Sequence, residues 1–294
     1  MKAAALDSRP SRLTSFWHSF RLAAWLGWQI ESNWADPFLF AIYSLVKPLA
    51  GAAILVVMYS VITGGDFASP IFTYMYLGNA FYIYVGQVMT GISWAVIDDR
   101  EHYKTLKYIY VAPIHFPTYL FGRGVARFII ASISVFVTIL FGVLFLQLDI
   151  TFADINWLLF LASLLVGVFM LAFLGLLLAG VMLVLVHHNF GLGEAVAGAL
   201  YLFSGAIFPL DVLPPFLRWI GYLLPITYWL ELLRRSLVSS VADAYPTFSQ
   251  FSSAQLFAIL LVQTLVLALL SFIVFRRCEH SARERGLIDM VTNY

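Results

Sequence analysis

Of the 294 residues, 62% are apolar and 11% charged, and a mean hydropathy of +0.89 belongs to a chain whose solvent is mostly lipid. Seventeen basic residues against sixteen acidic ones leave a net charge of +1, which excludes a nucleic-acid binder; the single cysteine, Cys278, excludes an internal disulfide and a Cys-rich metal site. No stretch is long and polar enough for a soluble domain beside one helical membrane bundle, so nucleotide-driven chemistry has to come from a partner.

Arg9, Arg12 and Arg21 punctuate the beginning of the chain, and no short apolar core leads to a small-residue cleavage site, so no cleaved leader is expected. From Leu13 to Trp34, Phe16, Trp17, Phe20, Ala24 and Trp28 recur at helical spacing against Ser15, His18, Arg21 and Gln29. This pattern predicts a helix lying in the interface, the alternative being a helix packed on the bundle.

About twenty helical residues cross the hydrocarbon. The predicted spans are Phe38 to Ile62, Tyr74 to Ile97, Gly124 to Leu148, Ile155 to Val186, Leu192 to Phe208 and Ala254 to Phe275. These six crossings put both termini on one side. Arg9, Arg12, Arg21, Arg100, Lys104, Lys107, Arg123, Arg276, Arg277, Arg283 and Arg285 fall on that side, and the short loops near Asp66 and Asp149 hold no Lys or Arg, which makes it cytoplasmic.

In the first span Lys47 precedes Pro48, at a cost of roughly 2.5 to 3.5 kcal/mol if the Lys lies at bilayer depth. Either Lys47 faces a cavity, or the hydrocarbon segment begins near Leu45, Lys47 snorkels and Pro48 opens the first turn. Gly78, Gly86 and Gly91 in the second span read as sites of close helix packing.

Between the second and third spans, Asp98 to Lys107 is densely charged, followed by apolar Tyr108, Ile109, Tyr110 and Val111 before Pro113. The pattern predicts an amphipathic helix along the membrane with its charged face toward a soluble partner; a solvated loop is the alternative. His187, His188 and Asn189 with Glu194 mark the turn after span four. Adjacent histidines point apart on a helix and do not chelate jointly, so no metal is assigned. No nucleophile or general base is nominated, which leaves an intramembrane enzyme only Lys47 and the His187-His188 pair.

The fifth span is short and runs into Ser204-Gly205-Ala206-Ile207-Phe208-Pro209, with Pro214, Pro215 and Pro225 following. Proline breaks a straight helix, so a hairpin that dips into the outer leaflet and returns is predicted here. Arg218, Arg234 and Arg235 then lie on the outer side, where they would snorkel to the interface.

Two segments carry a resemblance to a known family, the membrane permease subunit of ABC-2 type exporters. The first is Phe203-Ser204-Gly205-Ala206-Ile207-Phe208-Pro209-Leu210, continuing through Leu213-Pro214 to Leu224-Pro225-Ile226-Thr227-Tyr228-Trp229-Leu230-Glu231-Leu232-Leu233-Arg234. It is similar to the family's signature segment. The second is Arg100-Glu101-His102 with Thr105-Leu106 and Ala112-Pro113-Ile114, similar to the family's coupling segment. It departs from the usual pattern in one respect: the Gly that commonly precedes the Thr-Leu pair is replaced by Tyr103-Lys104.

The resemblance implies an all-α membrane protein in one domain, residues 1–294. Residues 1–37 are a cytoplasmic tail and interfacial helix, 38–275 a six-helix bundle with a coupling helix and a re-entrant hairpin, and 276–294 a second tail. It implies a non-catalytic permease in a plasma membrane such as a bacterial inner membrane. Two copies would form a homodimer over two copies of an ATP-binding cassette subunit, which binds the ATP and Mg²⁺; this chain holds no cofactor. Arg100, Glu101, His102, Tyr103, Lys104, Thr105, Leu106 and Tyr108 would contact that subunit. Spans two and five, facing across the dimer axis, would line a path with Tyr82, Gln87, Met89, Thr90, Tyr201, Phe203 and Ser204. Gly205, Phe208, Pro209, Pro214 and Pro225 would form a re-entrant gate. Such a lining favours an amphipathic, lipid-linked or drug-like cargo. A membrane scaffold recruiting a soluble partner is the non-transport reading.

Overall fold

The computed structural model describes residues 12–33, 36–112, 114–186, 191–238, 245–288 and 290, which form helices and turns with no strand. In chain order the helices are α1 (Arg12–Asn33), α2 (Pro37–Thr63), α3 (Pro70–His102), α4 (Leu106–Val111), α5 (Phe116–Phe145), α6 (Trp157–Val184), α7 (Leu192–Phe203), α8 (Pro215–Leu223), α9 (Pro225–Leu237) and α10 (Ser253–Glu284). Five of them, α2, α3, α5, α6 and α10, are long and apolar enough to cross a membrane. The predicted fifth span, Leu192 to Phe208, is helical only over the twelve residues of α7, about 18 Å at 1.5 Å per residue, too short to cross.

Local chemistry sets the ends. Asp36 accepts from Phe38 N at 3.0 Å with Pro37 in the first turn, and Gly64 closes α2 at φ 75°. Asn156 caps α6 by accepting from Leu159 N at 3.1 Å. Ser252 and Gln255 form a capping box at the start of α10. Pro48 lies inside α2 and does not open its first turn, and Lys47 is exposed on the helix surface.

α3 is the axis of the bundle: 67% of its apolar stretch is buried, against 17% for α2 and for α10. It carries two π-helical turns, Val85–Met89 and Asp98–His102. The second shows that the charged run predicted as a separate amphipathic helix is the last turn of the span itself; α4 follows it and is only six residues long.

Close approach fixes the packing. A Cβ on Gly122 would come within 2.5 Å of the Ala23 Cβ, and one on Gly27 within 3.1 Å of the Arg123 Cα. α1 therefore lies packed along α5, as the alternative reading held, with Phe16, Trp17, Leu22 and Trp25 exposed along its free edge. Gly78 and Gly91 are packing sites as the sequence suggests, but nothing lies within 4 Å of a Cβ on Gly86.

α9 runs beside the first part of α6. Asn156 N donates to Ser236 O at 2.9 Å, and Trp229 fills the space that a Gly167 side chain would occupy. Those two contacts are eleven residues apart on α6, about 16 Å of a 28-residue helix. α9 therefore lies along the first half of α6, and Leu224 alone joins it to α8.

Candidate functional site

At the end of the bundle that carries residues 98–116, charged side chains meet inside the protein. The π turn at Asp98–His102 rotates Asp99 and Arg100 inward together. Asp99 Oδ1 lies 3.0 Å from Arg123 Nη1, and Tyr119 donates its hydroxyl to Asp99 Oδ2 at 2.9 Å. Thr105 N donates to Asp99 O at 2.8 Å, tying the start of α4 to the same residue. Arg100 pairs with Glu101 at 3.0 Å and donates to Met182 O on α6 at 3.2 Å. On the other flank Glu31 of α1 pairs with Arg127 of α5 at 2.7 Å. One polar layer thus links α1, α3, α5 and α6.

This layer alters the predicted contact surface. Arg100 and Leu106 are buried, 2% and 1% exposed, and Glu101 and Thr105 are half-buried, so these four do not present a free face. His102, Tyr103, Lys104 and Tyr108 are exposed, and Lys107 and Val111 join them. Lys104 takes φ 53°, the left-handed region that glycine adopts without cost. Lys104 lies in the Tyr103-Lys104 pair that the sequence marks as the departure from the family pattern, and it takes this conformation without being Gly.

Arg123 was expected in the loop but lies inside α5, 5% exposed. Arg127 and Glu31 belong to the same group and were missed. The readable signal was two arginines one turn apart in the otherwise apolar stretch Phe116–Phe145, each in need of an acid. Burial outweighs the nearby Arg127 and Arg123 charges and raises the Glu31 carboxyl above its ordinary value. Burial and then Asp98 likewise raise the Tyr103 phenol.

Higher in the bundle, α3 and α7 are zipped together within one chain. Tyr201 donates to Asn79 Oδ1 at 2.6 Å, Tyr82 to Ala197 O at 2.5 Å, and Trp94 Nε1 to Glu194 Oε1 at 2.7 Å. The rings of Tyr82 and Tyr201 lie 4.6 Å apart. Gln87 and Phe203 are half-buried beside this seam, whereas Met89, Thr90 and Ser204 are buried. Of the predicted lining residues, Tyr82 and Tyr201 are thus partners within one chain at this seam. The π turn Val85–Met89 sits at its middle, with the Thr90 hydroxyl donating to Gly86 O.

The turn after α7 is braced from inside. Gly205 has φ +72°, and Arg234, 1% exposed, donates to Gly205 O at 2.8 Å, Ala206 O at 3.0 Å and Tyr74 O at 3.1 Å, while its guanidinium lies 3.6 Å from the Tyr74 ring centre. Arg235 pairs with Glu231 and donates to Phe248 O and Phe251 O; Arg218 donates to Leu213 O and Asp211 O. All three arginines fold back onto backbone carbonyls, which replaces the snorkelling predicted for them. Phe208 is half-buried and Pro209 buried. Pro214 precedes α8 and Pro225 opens α9, so these prolines start helices where a kink was expected.

An apolar groove of about 550 Å³ runs between α5 and α6, with Phe16, Trp17 and Phe20 of α1 at one end; Val88 and Ile92 of α3 join its lining, and none of the predicted path residues does. Among the described residues no group of three or more His, Cys, Asp or Glu could hold a metal ion; His187 and His188 lie outside them, as do Asn189 and Pro113. A comparison with protein-family models matches residues 20–238 to the ABC-2 type transporter. A comparison with curated proteins finds no match.

Proposed function

Because this chain belongs to the ABC-2 type transporter family, as a non-catalytic multi-pass membrane permease whose ATPase lies in a separate ATP-binding cassette subunit, we propose that it works as a homodimeric export pathway. Two copies of the ATP-binding subunit press on it from the cytoplasmic side, which is the end carrying residues 98–116. The observation that carries this reading is the polar layer around Asp99. A push on the exposed residues His102, Tyr103, Lys104 and Tyr108 reaches α3 through the π turn, α5 through Asp99–Arg123 and α6 through Arg100–Met182. A rigid joint of this kind suits rigid-body rocking between inward-open and outward-open arrangements.

In this reading α7 and the turn after it make a sixth, broken crossing, and α8–α9 form a re-entrant hairpin in the outer half. The confinement of α9 to about 16 Å along α6 supports it. Exposed Leu202, Phe216, Trp219 and Leu223 on α7 and α8 supply an apolar face suited to the second copy. The seam of Tyr82, Asn79, Tyr201 and Glu194 is the closed path; opening it exposes aromatic rings with a few polar groups, which suits an amphipathic, lipid-linked or drug-like cargo. Directionality comes from different cargo affinities in the two arrangements.

The test is ATP-dependent transport by the reconstituted complex of this chain with its ATP-binding subunit, with Lys104→Glu and Lys107→Glu introduced together. Both side chains are exposed, so the folded chain should persist while the subunit dissociates and transport stops. Full transport by this variant would remove the coupling role from α4, and a chain that holds no ATP-binding subunit at all would favour a scaffold.

A further inference from the structure

α10 outruns the bilayer. About twenty residues suffice to cross the hydrocarbon, α10 has 32, and its last nine, residues 276–284, are mostly polar. The sequence read this segment as a tail, but its side chains grip the coupling segment. Phe275 is fully buried against Phe116, ring centres 5.9 Å apart, and Phe116 lies 4.8 Å from the ring of Tyr110 on α4. Two turns beyond Phe275, the Arg283 guanidinium covers the Tyr110 ring at 4.8 Å and is oriented by Glu279 at 2.7 Å. Ala282 is 0% exposed, and Leu287 and Ile288 pack on the core. Tyr110 is thus held between the Phe116 ring of α5, which itself packs on Phe275, and the Arg283 cation from the polar end of α10.

We propose that the polar end of α10 is the second half of the docking surface for the ATP-binding subunit, and that Arg283 and Phe275 are positioning residues that clasp it to α4. The proposal rests on the reading of α4 as the coupling segment. With the clasp in place, the stroke of the soluble subunit reaches the last span directly as well as through α3. The charge distribution indicates the occupant. Around the clasp the two segments expose Lys104, Lys107, Arg276, Arg277 and Arg285, against the exposed carboxylate of Glu284; Arg283 is neutralised by Glu279. This surface fits an acidic face on a soluble protein.

The proposal is tested on the complex of this chain with its ATP-binding subunit. Arg277→Glu with Arg285→Glu should weaken association about tenfold and flatten its dependence on salt, with the melting temperature unchanged. Lys104→Glu with Lys107→Glu tests the underlying reading separately. If the α4 variant dissociates and the α10 variant does not, the composite surface is wrong and the coupling segment stands; if neither dissociates, both fall. If the α10 variant loses only binding of the isolated chain to phosphatidylglycerol vesicles, the patch serves lipid headgroups and the proposal is overturned. For the clasp, Arg283→Ala should lower the transport obtained per ATP hydrolysed, and Arg283→Lys should restore part of it because an ammonium still covers the ring. An unchanged ratio in Arg283→Ala would show that the contact only stabilises the helix.

Discussion

Arg123 Nη1 lies 3.0 Å from Asp99 Oδ1, with both side chains almost wholly out of solvent. The two residues sit on different helices, and the Tyr119 hydroxyl completes the carboxylate's partners. A pair in this position contributes little net stability over an apolar replacement, because desolvation offsets most of the attraction; removing one partner is what costs.

Asp99→Ala should therefore destabilise the solubilised protein by about 3 to 5 kcal/mol, because it leaves the Arg123 charge buried and unpaired. Asp99→Leu combined with Arg123→Met should recover most of that loss yet uncouple ATP hydrolysis from transport. Thermal melting in detergent, read beside transport, checks both halves. A melting temperature for Asp99→Ala equal to that of the unchanged chain would contradict the buried pairing.

The three glycines of α3 should behave differently. A Cβ on Gly78 would stand 1.9 Å from Ala206 O and 2.1 Å from Arg234 Nη2, so Gly78→Ala should cost about 1 to 3 kcal/mol through overpacking. At Gly91 the neighbour is the flexible Arg127 side chain at 2.7 Å, so Gly91→Ala should cost less. Gly86→Ala meets nothing within 4 Å and should be neutral or gain up to about 1 kcal/mol from helix propensity. The order of the three melting temperatures is the test.

Arg234→Ala removes the donors for Gly205 O, Ala206 O and Tyr74 O at once. Each abandoned buried acceptor costs about 1 to 3 kcal/mol, so the turn after α7 should loosen before the rest of the bundle. A cysteine placed at Ile207 in a Cys278→Ser background should become reactive toward a membrane-impermeant maleimide. Arg234→Lys should not restore protection, since a single ammonium lacks the planar fork that reaches carbonyls on two elements. Unchanged labelling in Arg234→Ala would show that the turn is held by other contacts.

The long apolar runs are legible because hydrocarbon dictates both their length and their composition, and α2, α3, α5, α6 and α10 all fall where such runs lie. What the pattern does not carry is the π turn. An added residue in one turn leaves the apolar composition untouched, yet at Asp98–His102 it decides that Arg100 points inward and Lys104 outward. The predicted third span begins at Gly124 and leaves Arg123 just outside it, and its partner Asp99 is visible only when α3 and α5 are side by side. Snorkelling to the interface is predicted for Arg218, Arg234 and Arg235 because their acceptors are backbone carbonyls, which have no signature in sequence.

Glu31 gives a pH dependence of unusual sign. Its carboxyl is raised above the ordinary value of 4.5 because burial outweighs Arg127. Between the two values the folded state binds more protons than the unfolded one, so stability falls as pH rises through the folded value and is greatest at and below the unfolded value. An ordinary ion-paired carboxylate behaves oppositely. Subtracting the melting profile of Glu31→Gln from that of the unchanged chain isolates the effect. A difference that rises with pH would mean that the Arg127 pairing dominates after all.

Lys104 offers a separation of backbone from charge. Its φ of 53° costs a non-glycine residue about 1 to 2 kcal/mol. Lys104→Gly removes that strain but gives the unfolded chain more freedom, so the net gain should be about 1 kcal/mol at most. Lys104→Ala keeps the strain and should show no gain. Both remove the exposed ammonium, so both should weaken association with the ATP-binding subunit equally and reduce its salt dependence. If Lys104→Gly retains full association while Lys104→Ala loses it, the shape of the turn and not the charge is what the partner reads, and the family's Gly and this chain's Lys then serve the same contact by the same backbone.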